Sequence, residues 1–237
     1  MAMNSSLMLG APIEGLLERL YAQHAAQTGA VADYFTARAA EGSLDWSGFD
    51  RRTNEFLKDK LIALDRPKAE FCYHVCRALR ARRVVEAGTS FGVSTLFLAA
   101  AVRDNLRRGD DRGPGGRPIV IGTEYEPEKA RIARAHFAEA GLSDFIDLRE
   151  GDLRETLADV AAPIDFMLID IWTPMARPAL GLIAPHLREG AVVICDNTEQ
   201  FREAYQEYFD FVYDPGNRLK TMTVPFEGGL EFTVRAG

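Results

Sequence analysis

The sequence has few cysteines and tryptophans and no long apolar run. Its 237 residues include three cysteines and two tryptophans. Three cysteines do not make a disulfide framework, which favours a reducing compartment, so we expect a cytoplasmic protein. The longest strongly apolar stretch, residues 91–102, is too short to span a bilayer. The first ten residues lack the basic start of a signal peptide, so a targeting segment is not expected.

Basic residues are fewer than acidic residues, 28 against 35, which gives a formal net charge of −7. An acidic protein has no general attraction for phosphate backbones. We therefore expect neither nucleic acid nor a membrane as a partner. The overall composition, 47% hydrophobic and 27% charged, is typical of a soluble globular protein.

Two of the cysteines, Cys72 and Cys76, flank His74 in a pattern that suggests a zinc site. Their spacing is that of a helix, and no second pair of cysteines or histidines follows to complete a tetrahedral site. We therefore interpret these residues as helix positions rather than metal ligands.

Residues 1–65 are predicted to form a helical extension that acts as a cap, a lid or a dimer element. Apolar residues recur at helical spacing over residues 13–21, and a second helix is predicted over residues 52–64. Small and polar residues interrupt the pattern at 42–49, a segment that contains Trp46. The apolar stripe of the first helix either covers a sheet or mediates the homodimer that we expect.

Residues 66–237 are predicted to form one α/β domain. Short apolar runs alternate with helical segments, a pattern that predicts parallel strands with helices on both faces. The runs lie at 84–85, 119–121, 145–148, 166–169 and 191–194. Two further strands, 219–224 and 230–234, are predicted to form an antiparallel hairpin at the sheet edge. The predicted fold is a doubly wound, Rossmann-like, seven-stranded sheet, mostly parallel, preceded by N-terminal helices.

Residues 103–117 are polar and rich in glycine, with arginines interleaved among aspartates. This composition predicts a solvated surface loop rather than a basic patch for nucleic acid.

The most informative segment is the glycine loop that follows the first strand, residues 84–94. Gly88 and Gly92 let a ligand approach the backbone, and the helix that follows favours a negative group at its N-terminus. The spacing differs from the dinucleotide fingerprint, and Glu86 precedes the first glycine. A carboxylate there repels a pyrophosphate and tolerates an ammonium group or a neutral nucleoside. The loop therefore disfavours NAD.

A second acidic residue, Glu124, ends the predicted second strand. In nucleoside-binding α/β folds an acidic residue at this place holds the ribose hydroxyls, about 20 residues after the glycines. Glu124 follows Gly92 by 32 positions, and the loop around 106–117 accounts for the excess. We predict the ribose role for Glu124; a surface residue is the alternative.

The same loop also contains G-x-S-x-G, the nucleophile elbow of α/β-hydrolases, with Ser90 as its serine. The chain order Ser90, Asp170, His186 suits that triad. However, the residues before 83 are predicted to be helical, no oxyanion loop precedes the elbow, and His186 lies in a helical run. A serine hydrolase is therefore kept as an alternative function.

Two later strands end in acidic residues, Asp170 in one and Asp196, followed by Asn197, in the other. If these strands are parallel neighbours, the three side chains lie at the same edge of the sheet, where ligands bind. Two carboxylates and an amide oxygen suit Mg²⁺ or Ca²⁺. We therefore predict a divalent-cation site.

With these motifs the chain resembles the class I S-adenosylmethionine-dependent O-methyltransferases of the catechol and caffeoyl-CoA type, which use a divalent cation. The resemblance covers residues 66–235. Its motifs are Val-Val-Glu-Ala-Gly-Thr-Ser-Phe-Gly-Val-Ser at 84–94, Thr-Glu-Tyr-Glu-Pro at 123–127, Glu-Gly-Asp-Leu at 150–153, Leu-Ile-Asp-Ile-Trp at 168–172, Cys-Asp-Asn at 195–197 and Gly-Gly-Leu-Glu at 228–231. The resemblance implies methyl transfer to a hydroxyl of a small aromatic or diol acceptor. A non-catalytic S-adenosylmethionine-binding protein is a further alternative.

The resemblance also implies roles for individual residues. Those implied to bind the cofactor are Glu86, Gly88, Thr89, Ser90, Gly92, Ser94, Glu124, Tyr125, Asp152, Leu153, Asp170 and Trp172. It implies that Asp170, Asp196 and Asn197 hold the cation. Trp46 and Glu231 are candidates for contact with the acceptor.

The chain departs from this family after the fourth strand, where the family carries a catalytic lysine and residues 171–175 contain none. A bound cation lowers the pKa of an acceptor hydroxyl, so a weaker base can suffice. Lys68, Lys58 and Lys60 are alternative bases. We take Asp170 and Lys68 as the catalytic candidates; a vestigial metal site or a non-phenolic acceptor also remains open.

Overall fold

A computed structural model describes residues 7, 9–46, 48, 50–106 and 117–237 as helices packed around one sheet. The helices are α1 (Ala11–Ala40), α2 (Arg51–Leu57), α3 (Arg66–Ala78), α4 (Val93–Leu106), α5 (Pro127–Glu139), α6 (Leu153–Thr156), α7 (Thr173–Ile183) and α8 (Gln206–Tyr213). The strands are β1 (Arg83–Ala87), β2 (Ile119–Glu124), β3 (Ile146–Glu150), β4 (Ile164–Ile169), β5 (Leu187–Asp196), β6 (Leu219–Val224) and β7 (Leu230–Arg235). The predicted strands and main helices are confirmed.

The seven strands form one sheet in the order β3-β2-β1-β4-β5-β7-β6. The first five strands in that order, from β3 to β5, are parallel to one another. Strand β7 runs antiparallel to both β5 and β6. The prediction of a doubly wound, mostly parallel sheet with a C-terminal hairpin is confirmed. The chain reverses its winding direction between β1 and β4, and ligands of open α/β sheets bind at such a point, beyond the carboxyl ends of the strands.

Both faces of the sheet are buried, which is why its central strands are mostly apolar. Successive residues of β1 illustrate this, because Val84 and Val85 belong to two different buried clusters. The cluster around Val84 includes residues of α1, α3 and α4. The cluster around Val85 includes residues of α7 and α8.

The apolar stripe of α1 packs inside the chain. Leu16, Leu17 and Leu20 are almost fully buried and share a cluster with Phe97 of α4 and Val84 of β1. Of the two roles considered for this stripe, the structure shows that it covers the α/β core.

The second predicted helix, residues 52–64, is wrong in its C-terminal half, because α2 ends at Leu57. The chain then runs past α1 without helical hydrogen bonds. The backbone N–H of Leu61 donates to Gln27 Oε1 at 2.8 Å, and the N–H of Ala63 donates to His24 Nδ1 at 3.2 Å. Side chains of α1 therefore replace the carbonyl acceptors that a longer helix would supply.

Cys72 and Cys76 are buried thiols within α3, as their helical spacing predicted. No cluster of three or more histidine, cysteine or acidic side chains suited to a metal occurs among the described residues. Of the predicted surface loop at 103–117, residues 107–116 lie outside the described residues. Within the part of the chain that the structure describes, every helix is too short or too polar to cross a membrane.

Candidate active site

A cavity of about 880 Å³ opens at the carboxyl ends of the parallel strands. The segments that follow β1, β2, β3, β4 and β5 contribute to its wall, and so do parts of α1 and of the segment around Trp46. Most of the side chains that the sequence singled out are therefore brought to one place. A volume of 300–1,000 Å³ is typical of small-molecule sites.

The loop after β1 lines the cavity and packs against the end of β4. Gly88 has φ +99°, and a Cβ atom built there would overlap the backbone carbonyl oxygen of Asp170. The backbone N–H of Asp170 donates to the carbonyl of Ala87 at 3.0 Å, which extends the pairing of the two strands. Glycine is therefore required at position 88 by both the backbone conformation and the close approach.

Glu86 is fully buried beneath this loop and is absent from the cavity wall. Its Oε2 accepts hydrogen bonds from the hydroxyls of Thr89, at 3.0 Å, and Thr95. Its Oε1 has no hydrogen-bond partner among the described residues. Burial raises the pKa of Glu86, and the hydroxyls of Thr95, Ser94 and Thr89 act in the opposite direction. Thr89 and Ser94 do line the cavity, so Glu86 fixes the groups that face it.

Glu124 joins the loops that follow β1 and β2. One carboxylate oxygen accepts from the backbone N–H of Ser90 at 2.7 Å, and the other accepts from the N–H of Glu126 at 2.8 Å. Burial raises the pKa of Glu124, while the N–H of Glu126 and the ammonium of Lys129 act to lower it. Glu124 lies in the cavity wall at the end of β2, the position from which the ribose role was predicted.

Four further residues predicted to contact the cofactor lie in the cavity wall. Tyr125, Asp152, Leu153 and Trp172 line the cavity. Asp152 also caps α6, because its carboxylate accepts from the backbone N–H of Arg154 at 2.9 Å.

Gly92 lies outside the cavity wall, and its contact with the cofactor stays a prediction. A Cβ atom at Gly92 would overlap the ring of Phe137, and Gly92 is not part of the cavity wall. Its small size lets α5 pack against the start of α4.

An aromatic cluster, Phe35, Trp46, Trp172 and Phe201, forms part of the cavity wall and is called the aromatic wall below. Trp46 lies 4.3 Å from Phe201, 5.1 Å from Phe35 and 6.3 Å from Trp172, measured between ring centroids. The hydroxyl of Thr173 donates to the backbone carbonyl of Trp46, which ties this segment to the start of α7. Trp46 was predicted at the site. Phe35 was missed because nothing in its helical surroundings distinguishes a residue that lines a cavity from one on a solvent face.

Two sequence-based expectations fail in the tertiary structure. Glu231 is fully buried between β7 and β6, where Oε2 accepts from Thr223 at 2.6 Å and Oε1 accepts from Thr221. It is absent from the cavity wall. His186 lies immediately before β5, at the amino end of that parallel strand, whereas Ser90 follows the carboxyl end of β1. The two lie at opposite edges of the sheet, so the hydrolase triad is not assembled.

The chain is similar to known methyltransferases in sequence and in fold. Residues 85–198 match the family model described as a methyltransferase domain. These residues are similar to methyltransferase domains. A catechol O-methyltransferase of Mycobacterium tuberculosis is 32% identical over 137 residues, which cover 57% of this chain and 57% of that relative. The chain therefore matches little more than half the length of this curated relative.

Solved methyltransferase structures share the fold over 78–80% of this chain. An O-methyltransferase from Bacillus cereus in complex with SAH superposes with a TM-score of 0.63 at 19% identity, over 78% of this chain and 87% of that one. The O-methyltransferase TomG from Streptomyces achromogenes, in complex with SAM, gives 0.63 at 20% identity, over 80% and 92%. At such identities the likeness establishes the fold of the domain.

At the divalent-cation site predicted from the sequence, Lys68 pairs with one of the predicted ligands, Asp196. Lys68 Nζ lies 2.8 Å from Asp196 Oδ1 and 3.5 Å from Asp65 Oδ2, and both Lys68 and Asp196 are buried. Burial lowers the pKa of Lys68, but the attraction of Asp196 outweighs it, so the pKa lies above its usual value. The ion pair thus favours the protonated form of Lys68, and its role as a base stays a prediction.

Asp170 and Asn197 line the cavity, whereas Asp196 does not. Burial, and then the negative charge of Asp196, raise the pKa of Asp170 well above its usual range. With Asp196 already bonded to an ammonium, these residues do not fit the divalent cation that the sequence suggested. Lys58 and Lys60, the other candidate bases, pair with Glu55 and Asp59.

Proposed function

We propose that this chain is an S-adenosylmethionine-dependent O-methyltransferase that acts on a small, flat acceptor. The observation that carries the proposal is the position of Glu124, which links the glycine loop to the end of β2 within the cavity wall. The methyltransferase-domain match over residues 85–198 supports it. Related proteins named as catechol O-methyltransferases support the choice of a hydroxyl as the methyl acceptor.

The residues present fit the proposed donor. Gly88 lets the backbone of the loop approach a ligand, and Ser94 presents a hydroxyl at the start of α4. Glu124 would accept hydrogen bonds from the ribose hydroxyls, and Asp152 with Leu153 would border the adenine. Trp172 provides an aromatic face beside them. Glu86 would act from below, by holding the hydroxyl of Thr89.

The chemistry is an in-line displacement. When bound, the donor would supply a sulfonium methyl group. The new bond forms from the acceptor oxygen to the methyl carbon, the carbon–sulfur bond breaks with its electron pair remaining on sulfur, and the hydroxyl proton passes to water. The protein contributes mainly by holding the two reactants in line, which can account for a large part of the rate enhancement.

The aromatic wall favours a flat acceptor. Trp46 and Phe201 face the cavity beside the end of β5, where Asn197 also lies. An aromatic ring in the wall can pack against a phenolic or catechol-like ring in the cavity. Because Lys68 donates a hydrogen bond to Asp196, the assistance of a divalent cation that the sequence suggested is not part of this proposal.

The test is calorimetry with S-adenosylhomocysteine, followed by methyl transfer from labelled S-adenosylmethionine to a panel of phenols, catechols and aliphatic diols. We expect one donor site per chain and turnover on a subset of the aromatic acceptors. Absence of binding would contradict the proposal. Tight binding without turnover on any acceptor would favour the non-catalytic alternative, and covalent labelling of Ser90 by a fluorophosphonate would favour the hydrolase.

A further inference from the structure

A buried ion pair occupies the place where the family resemblance implies a divalent cation. Lys68 lies in the first turn of α3, and Asp196 is the last residue of β5. Their side chains meet at 2.8 Å although 128 positions separate them in the chain. The exposed fractions are 3% for Lys68 and 5% for Asp196, so water screens this pair little.

The ammonium of Lys68 is surrounded by acidic groups. Asp65 at the start of α3 approaches it to 3.5 Å, and Asp196 lies at 2.8 Å. One positive charge thus lies between two carboxylates. The local charge that a cation would otherwise balance is already partly balanced by the chain itself.

A divalent cation at the same carboxylates meets two obstacles. Asp196 Oδ1 already accepts a hydrogen bond from Lys68, so a cation would have to displace the ammonium to bind this oxygen. The cation would also lie close to a buried ammonium, and like charges in a site of low dielectric constant repel strongly. Both effects are removed if Lys68 loses its charge.

We propose that the Lys68 ammonium replaces the divalent cation of this site, so that the chain transfers methyl groups without a bound metal. The inference rests on the proposed function. Lys68 does not line the cavity, so it acts as a positioning residue through Asp196. By holding the end of β5, it places Asn197, which does line the cavity, beside the acceptor and keeps a positive charge beneath it.

The test is a titration of Mn²⁺ followed by electron paramagnetic resonance, with S-adenosylhomocysteine present. We expect the wild-type protein to take up no Mn²⁺ at about 100 µM, and its methyl transfer to be unchanged by EDTA. Lys68→Met should bind Mn²⁺ roughly tenfold or more tightly than the wild type, because it frees Asp196 and removes the repulsion. Lys68→Arg keeps the charge and should take up none.

Lys220→Met, on the exposed face of β6, is the matched control and should behave as the wild type. Uptake of one Mn²⁺ by the wild type that Asp170→Ala abolishes, or loss of activity in EDTA that Mg²⁺ restores, would overturn the inference. So would a folded Lys68→Met protein that binds no more Mn²⁺ than the wild type. If Lys68→Met does not fold, the wild-type titration and the EDTA assay decide. Failure to bind S-adenosylhomocysteine would instead count against the proposed function.

Discussion

Gly88 and Asp170 are in direct backbone contact across β1 and β4, so closely that a side chain on Gly88 would overlap the carbonyl oxygen of Asp170. Gly88→Ala is therefore expected to destabilise the fold and to abolish binding of S-adenosylhomocysteine. Urea denaturation and calorimetry measure the two effects. Gly10→Ala is the matched control, because Gly10 has a similar φ of +104° but no atom within 4 Å of the position that a Cβ atom would take.

The two substitutions separate backbone strain from overlap. Both introduce a residue at positive φ, which costs about 1–3 kcal/mol. Overlap adds about 1–3 kcal/mol more at Gly88 alone. Equal losses of stability in the two variants would contradict the close approach of β1 and β4.

Glu124→Gln should weaken binding of S-adenosylhomocysteine. The two carboxylate oxygens accept one hydrogen bond each, from the backbone N–H groups of Ser90 and Glu126. In glutamine an N–H₂ group replaces one of these oxygens and cannot accept, so one of the two hydrogen bonds is lost. Loss of hydrogen bonds to a charged group costs about 1.5–3 kcal/mol, which corresponds to roughly 10- to 100-fold in affinity. Glu128→Gln, on the exposed surface of the same region, is the control. Unchanged affinity in Glu124→Gln, measured by calorimetry, would remove Glu124 from the donor site.

Glu86→Gln should change how stability depends on pH. Burial raises the pKa of Glu86 above its ordinary value of about 4.5, so the folded state binds this proton more tightly than the unfolded state does. The stabilisation that this proton gives the folded state is fully present below the pKa that Glu86 has in the unfolded chain. It is lost as the pH rises through the pKa that Glu86 has in the folded state. The free energy of unfolding of Glu86→Gln minus that of the wild type should therefore increase across this window and then level off. A flat difference, measured without ligand, would show that the carboxylate is not desolvated.

Trp46→Ala should raise the KM for an aromatic acceptor and leave the affinity for S-adenosylhomocysteine nearly unchanged. Trp46 packs on Phe201 and Phe35 in the cavity wall, and an aromatic pair contributes about 0.5–1.5 kcal/mol, or roughly 3- to 10-fold. Met222→Ala, at an exposed position of β6, serves as the control in steady-state kinetics. An equal loss of affinity for donor and acceptor would contradict a role of Trp46 that is specific to the acceptor.

Leu17→Ala should destabilise the whole chain. Leu17 of α1 is fully buried in the cluster that contains α4 and β1, and removal of a buried leucine costs about 2–5 kcal/mol. Ile62→Ala, at a largely exposed position, should change stability by about 0.5 kcal/mol. A separate early transition for residues 1–65 in urea denaturation would contradict the shared core.

The alternation of strands and helices could be predicted because it depends on local patterns. Apolar runs such as 166–169 and 191–194 have the length of buried strands, and helical segments separate them. Parallel strands then bring their carboxyl ends to one edge, which is how Glu124, Asp170 and Asn197 could be expected around one cavity. The end of the second predicted helix could not be predicted, since the acceptors for Leu61 and Ala63 lie on α1, more than 30 positions away.

The sequence by itself determined the order of elements, the glycine loop and the acidic residues at the strand ends, because each is decided by neighbouring residues and strand periodicity. The tertiary structure alone decided what those residues meet. It paired Lys68 with Asp196, brought Phe35 to Trp46 and buried Glu231 between strands β6 and β7. These contacts join residues far apart in the chain, and they depend on how helices and strands pack, which no local pattern encodes.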